Sequence, residues 1–223
     1  MENIIDNIEI SFQRNKFLIE FNNNHKIEFF YYGFLKPIFN FPVYTDWKLL
    51  SPNWIQEQYQ IIKLEVSKWC KENNFIFQES NNYFIAFDNI YHTIIPNSGN
   101  GICMAMNDFL AKTNNGKHEI FLKYIGEPPH GDSYHEMTID GNKIAGFVWG
   151  CMFVCDENNE NLFFQWMEQY IERKLVIYNF KNKKIYVLPT FINKFYIQDD
   201  FICGYNDNNE EIKFNYVELI QNT

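Results

Sequence analysis

The chain opens on an alternation of apolar and polar positions. Ile8, Ile10 and Phe12 are separated by Glu9, Ser11 and Gln13, and Phe17, Ile19 and Phe21 keep the same period of two, which is the spacing of a strand with one face buried. Asn22–Asn24 interrupt the pattern as a turn, and Ile27, Phe29 and Tyr31 resume it. Residues 7–32 are therefore predicted to form an antiparallel meander. Pro37 and Pro42 break it, and the aromatics between Phe34 and Leu50 follow no period, which predicts a packed irregular connection. From Asn53 to about Asn73 the spacing becomes helical. Trp54, Ile55, Tyr59, Ile62, Val66, Trp69 and Cys70 share one side, and Gln56, Glu57, Gln60, Lys63, Lys68 and Lys71 the other. The Trp/Ile stripe reads as a core face. Ser51 reads as the N-cap, Pro52 as the first helical residue, where its missing N–H is not needed, and Asn73 or Asn74 as the left-handed exit. A second hairpin is expected from Phe75–Gln78 and Tyr83–Phe87 around Ser80–Asn82.

Residues 96–143 carry turn chemistry at Asn97–Gly101, Asn114–Gly116 and Gly126–Asp132, with Ile120–Tyr124 as their one clear strand. Six further strands are predicted beyond: Ile144–Cys155, Leu162–Tyr170, Lys174–Phe180, Lys184–Leu188, Phe195–Tyr205 and Glu211–Leu219. The fold class is α+β, mostly antiparallel β-sheet in a meander, with one main amphipathic helix at about 53–73. No Gly/Ser/Pro-rich spacer uncouples the parts, so residues 1–223 are expected to form a single globular unit. The alternative is a subdivision into an αβ part, 1–95, and a β-meander part, 96–223.

Composition narrows the function classes. Aromatics make up 19% of the chain and apolar residues 46%, which excludes a disordered or collagen-like protein. The net charge of −9 comes without the Lys/Arg clustering that neutralises phosphates, which argues against nucleic-acid binding and for a cationic partner. Glu2, Asp6 and Glu9 precede the first basic residue, Arg14, unlike a secretory signal, and no apolar run approaches the roughly 20 residues of a membrane helix. The five cysteines (Cys70, Cys103, Cys151, Cys155, Cys203) are an odd, scattered set that reads as reduced and buried. A cytoplasmic location is the expectation, and the 30 Asn and 28 Ile suggest an AT-rich, bacterial genome.

Catalytic chemistry has few candidates. The densest ionisable stretch is His130, Asp132, His135 and Glu136 in a Gly/Pro-rich loop. A metal-dependent or Cys/His hydrolase would have to use these residues, although their spacing matches no standard zinc signature. Cys151 and Cys155 face the same way on one strand about 13 Å apart and cannot bridge each other. Asn97–Gly101 lacks the Lys and Ser/Thr of a P-loop, and neither Gly-x-Ser-x-Gly nor His-Glu-x-x-His occurs. These residues call for no catalytic site, no metal and no cofactor.

The C-terminal meander is more informative. If its strands run up and down, the tips Asp156–Asn161, Lys181–Lys184 and Asn206–Glu211 emerge at one end, two acidic tips flanking a basic one. The candidate partner-binding residues are Asp156, Glu157, Glu160, Asp207, Glu210 and Glu211. Asp199 and Asp200 interrupt a strand and read as a bulge.

The run Ile144–Asn158, with Trp149-Gly150 and the acidic turn Asp156-Glu157, is followed by Leu162–Trp166, Leu175–Asn179 and Lys184–Leu188. Over residues 136–190 this succession resembles bacterial immunity proteins, the cytosolic antidotes to contact-delivered or type VI secreted toxins. The resemblance implies inhibition by stoichiometric binding, with no catalytic residues to carry over. It implies a cognate toxin as partner, with a basic surface that the chain's negative field would attract. A structural subunit of a larger assembly is the remaining alternative.

Overall fold

The structure, a computed structural model, describes residues 9–13, 16–32, 37–103, 106–127, 133–168, 173–206 and 208–221. The chain divides into two compact units, Met1–Thr93 and Ile94–Thr223. Antiparallel sheet dominates, with one main helix.

In the first unit the alternating pattern forms β1 (Glu9–Gln13), β2 (Lys16–Glu20) and β3 (Lys26–Tyr32), paired in order as an antiparallel meander. Asn24 supplies the positive φ of the Asn-rich turn. The stretch expected to be irregular is instead ordered as β4 (Ile38–Pro42) and α1 (Tyr44–Leu50). Phe39, Phe41, Trp47 and Leu50 are fully buried there, so close spacing of large aromatics on two short elements hid the periodicity.

The main helix, α2 (Tyr59–Glu72), starts later than its pattern suggested and follows a 3-10 turn at Gln56–Gln58. Ser51 is not its N-cap. The residue before a proline is pushed to extended backbone, and Ser51 accordingly ends α1, its N–H donating to the Trp47 carbonyl (2.8 Å). Tyr59, Ile62, Val66 and Cys70 form the buried stripe of α2, and Trp69 lies at its edge, edge-on to Phe17 at 4.7 Å. Asn74 takes the left-handed exit, and the Phe75 N–H closes the helix on the Cys70 carbonyl (2.8 Å).

The expected second hairpin does not form. β5 (Ile76–Ser80) runs parallel to β4, whereas β6 (Ile85–Phe87) pairs with β3 and with β7 (Ile90–Ile95). The short loop at 81–84 is compatible with a hairpin, but burial of Phe39 and Phe41 selects the β4–β5 pairing instead.

The second unit begins with β8 (Gly99–Asn100) and β9 (Ile102–Cys103). A continuous antiparallel order follows: β10 (Phe109–Thr113), β11 (Glu119–Gly126), β12 (Tyr134–Ile139), β13 (Asn142–Cys155), β14 (Asn161–Met167), β15 (Lys174–Asn179) and β16 (Lys184–Val187). Thus 96–143 contains several strands besides Ile120–Tyr124; their turns were legible, but apolar residues on outward positions, such as Leu110, Phe121 and Tyr134, and polar ones on inward positions, such as Thr113 and His135, blurred the alternation. A smaller sheet has the order β19-β18-β17-β8, with β17 (Asn193–Gln198), β18 (Phe201–Tyr205) and β19 (Glu211–Asn215), and α3 (Tyr216–Gln221) closes the described chain. Val154, Phe163, Leu175, Ile177, Ile192, Phe195, Ile197, Ile202 and Tyr216 make one buried cluster that joins the two sheets of this unit.

Phe195–Tyr205 is therefore two strands. Asp199 and Asp200 are the two-residue turn between them, with Asp199 at φ 52°, and not a bulge.

Candidate functional site

His130 and Asp132 lie outside the described residues. His135 is fully buried on β12, where its Nε2–H donates to the Asn107 carbonyl (3.0 Å) between the rings of Phe109 and Tyr124. Glu136 points to the opposite face, as alternation on a strand requires, and pairs with Lys143 at 2.8 Å. The Lys143 hydrogen bond and charge hold its carboxyl below the ordinary range. Among the described residues, no three His, Cys, Asp or Glu side chains gather as a metal site would need. Cys70, Cys155 and Cys203 are buried free thiols. Burial pushes Cys70 up to about 12, and burial together with Asp156 raises Cys155 as well, so both stay protonated thiols at neutral pH.

Asp156 is not an exposed acid: only 5% of it is accessible. Its Oδ1 accepts from the N–H groups of Glu160 (2.7 Å) and Asn161 (3.1 Å), and its Oδ2 accepts from Asn161 Nδ2 (2.6 Å). Asn159, at φ 55°, donates its N–H to the Asp156 carbonyl (3.0 Å) and completes the turn. A polar chain continues to the next turn. Asn179 Nδ2 donates to Asn161 Oδ1 (2.8 Å), Asn182 donates its N–H to Asn179 Oδ1 (3.0 Å), and Asn182 Nδ2 reaches the Tyr186 hydroxyl (2.7 Å). The Phe180 N–H donates to the Glu160 carbonyl (2.9 Å). The tips 156–161 and 180–184 are thereby tied side by side at one end of the sheet. That end is the common one expected of β13–β14 and β15–β16.

The third tip is not with them. Because Phe195–Tyr205 reverses at Asp199-Asp200, the chain gains one turn, and residues 206–211 emerge at the far end of β18, roughly 15 Å along a five-residue strand. There Asn206 repeats the Asp156 arrangement, accepting the N–H groups of Asn208 (3.0 Å) and Glu210 (2.9 Å). Its Nδ2 donates to Glu210 Oε2 (2.7 Å), and Glu211 begins β19 opposite Tyr205. Asp207 lies outside the described residues.

In place of the third tip, the Asp199-Asp200 turn comes to the 156–161 tip. Glu157 and Asp199 stand over a groove of about 330 Å³ whose other walls are Ser98, Gly99, Tyr196, Ile197 and Gln198. Asn97 Nδ2 donates to the Glu157 carbonyl (3.2 Å) and fixes that wall. The Tyr216 hydroxyl donates to the Asp199 carbonyl (3.4 Å); burial raises this hydroxyl far above its ordinary value, and the charges of Asp156, Asp200, Glu157 and Glu160 add to the effect. Among the described residues, Glu157, Glu160, Asp199 and Asp200 have no Lys or Arg ion-pair partner. Some acids elsewhere do, Glu28 with Lys16 and Lys26, Glu79 with Lys63, and Glu168 with Lys174.

Sequence reasoning located Glu157 and Glu160 but missed Asp199, Asp200 and Tyr196 as their neighbours. The available signal was the Asp-Asp pair between two alternating runs, which reads equally as a two-residue hairpin turn. Comparison with protein-family models, curated proteins and solved structures finds no match for this chain, so the groove and the acids around it stand on their own geometry.

Proposed function

We propose that this protein is a bacterial, cytoplasmic immunity protein that inhibits a cognate toxin by stoichiometric binding, using the acidic end of its second unit against a basic surface of the toxin. The observation that carries the reading is the placing of Glu157 and Asp199 on the walls of the Tyr196 groove, with Asp200 and Glu160 close by around Tyr216 and, among the described residues, no Lys or Arg ion pair on any of the four. Unpaired surface acids do not stabilise the fold. Their field accelerates encounter with a cationic protein, and a partly buried aromatic beside them is suited to anchor it. The resemblance of residues 136–190 to immunity proteins supports the same class. Within the proposal, Asp156 has a structural part and holds Glu157 and Glu160 in place, while Glu210 and Glu211 stand apart at the other end of β18.

Co-expression with toxic products of genes neighbouring its own tests the reading. The expected result is restored growth and a one-to-one complex on size-exclusion chromatography with light scattering. Growth restored by sub-stoichiometric amounts, with the toxin chemically altered, would instead establish catalysis.

A further inference from the structure

The two units contain the same four-strand arrangement. In the first, β2, β3, β6 and β7 pair in order, with Phe17 opposite Phe29, Ile27 opposite Phe87 and Phe87 opposite Ile90. In the second, β10, β11, β12 and β13 pair in order, with Phe109 opposite Leu122, Ile120 opposite Ile139 and Ile139 opposite Asn142. The sequences follow: Phe17-Leu-Ile-Glu-Phe-Asn-Asn matches Phe109-Leu-Ala-Lys-Thr-Asn-Asn, and each run reaches a histidine just before the next strand.

That histidine does the same thing twice. The Nδ1–H of His25 donates to Asp88 Oδ2 (2.8 Å), while Asp88 Oδ1 accepts the Lys26 N–H (2.8 Å). The Nδ1–H of His118 donates to Asp140 Oδ2 (2.8 Å), while Asp140 Oδ1 accepts the Glu119 N–H (2.9 Å). Both aspartates sit at positive φ in two-residue hairpin turns, Asp88-Asn89 and Asp140-Gly141. Both imidazoles also lie flat on an aromatic ring from another element: His25 on Trp54 (4.2 Å between centroids, 9° between planes) and His118 on Phe180 (3.9 Å, 6°). A carboxylate at the ring edge fixes the imidazole plane, and a plane so fixed can hold a second ring against it.

We infer that the His–Asp–aromatic clasp is a duplicated conformational latch, and that its second copy braces the acidic tip. Phe180 is the link. Its ring is held by His118, and its backbone N–H is bonded to Glu160, in the tip that Asp156 organises. Its neighbour Asn179 donates to Asn161 in the same tip. His118, on the turn before β11, thereby positions Glu157 and Glu160 through the β15–β16 turn. The first copy holds the Trp54 segment ahead of α2. The inference does not depend on what the tip binds.

Hydrogen exchange of the intact protein, read by NMR or by mass spectrometry of short peptides, tests it through the amides of Asn159, Glu160, Asn161 and Phe180, all hydrogen-bonded in the tip. His118→Ala loses both stack and hydrogen bond and should speed their exchange about tenfold or more, the consequence of losing one charge-assisted contact in a locally opening segment. His118→Phe keeps a ring over Phe180 and should speed it no more than about twofold. His25→Ala should leave these amides unchanged and speed exchange in residues 21–26 instead. Should His118→Ala fail to fold, Phe180→Leu removes the stack while leaving His118 and Asp140 bonded, and should give the same tip acceleration. Unchanged tip protection in His118→Ala, or in Phe180→Leu where the first variant does not fold, would overturn the brace. Equal acceleration by His118→Phe and His118→Ala would overturn the role of the stack.

Discussion

Replacing Asp156 by alanine should be the most costly single change among the acids of the 156–161 tip. The loss can be worked from its contacts. Three donors, the N–H groups of Glu160 and Asn161 and the Asn161 side-chain amide, lose a carboxylate that is itself almost wholly buried. Hydrogen bonds to a charged group contribute about 1.5–3 kcal/mol each, but the three share one acceptor and lie at a turn where water can enter, so the expected net cost is about 3 kcal/mol. Asp156→Asn keeps one acceptor and turns its amide toward the Asn161 amide, donor against donor, for about 1–2 kcal/mol. Glu157→Ala, with no side-chain hydrogen bond in the tip, should stay within about 0.5 kcal/mol. Pulse proteolysis across a urea series, with fragments identified by mass spectrometry, assigns each midpoint to the second unit. A midpoint for Asp156→Ala indistinguishable from that of Glu157→Ala would refute the structural assignment of this carboxylate and return it to the exposed, partner-facing acids.

Gly146→Ala should destabilise the protein by at least about 3 kcal/mol, read as a fallen thermal midpoint: Gly146 sits at φ 77°, and a Cβ there would lie 2.3 Å from the Met167 carbonyl oxygen. For Glu28, burial pushes the carboxyl up, but the hydrogen bonds and charges of Lys16 and Lys26 outweigh it and leave a net lowering. The unfolded state then binds the proton more readily. This carboxylate's contribution is present above the unfolded value near 4.3 and is lost as pH falls through the lower folded one, so Glu28→Gln should flatten the acid limb of the stability curve below about pH 5. Cys70 and Cys155 should resist iodoacetamide at pH 8 in the native protein and react in urea, as peptide mapping will show, because burial keeps both thiols protonated and out of reach.

What was legible in the sequence was whatever one face of one element decides. The period of two at Phe17–Phe21 and Ile27–Tyr31, the helical stripe Tyr59–Cys70, and the common end of the 156–161 and 180–184 tips all follow from local alternation and turn residues. Pairing choices did not, because they depend on remote burial. β5 finds β4 in place of β6 since Phe39 and Phe41 need covering, and Ser51 leaves the helix because Pro52 follows it. The His–Asp–aromatic clasps were invisible as well, being made of residues 63 and 22 positions apart. The duplicated Phe-Leu-x-x-x-Asn-Asn run was nevertheless present in the chain. Half of the candidate site was legible for the same reason: Glu157 and Glu160 sit on an obvious acidic turn, whereas Asp199 and Asp200 join them only once Phe195–Tyr205 is recognised as two strands.

The central proposal, an acidic end that captures a basic toxin, is tested most directly by stopped-flow association of the toxin with the Glu157→Lys, Glu160→Lys, Asp199→Lys, Asp200→Lys variant across ionic strength. Asp156 is left intact so that the tip keeps its shape. Long-range attraction sets the association rate and is screened by salt. Association should be at least about tenfold slower than wild type at low salt, the two rates converging as salt rises, with an unchanged circular dichroism spectrum. Equal rates at low ionic strength would contradict the proposal.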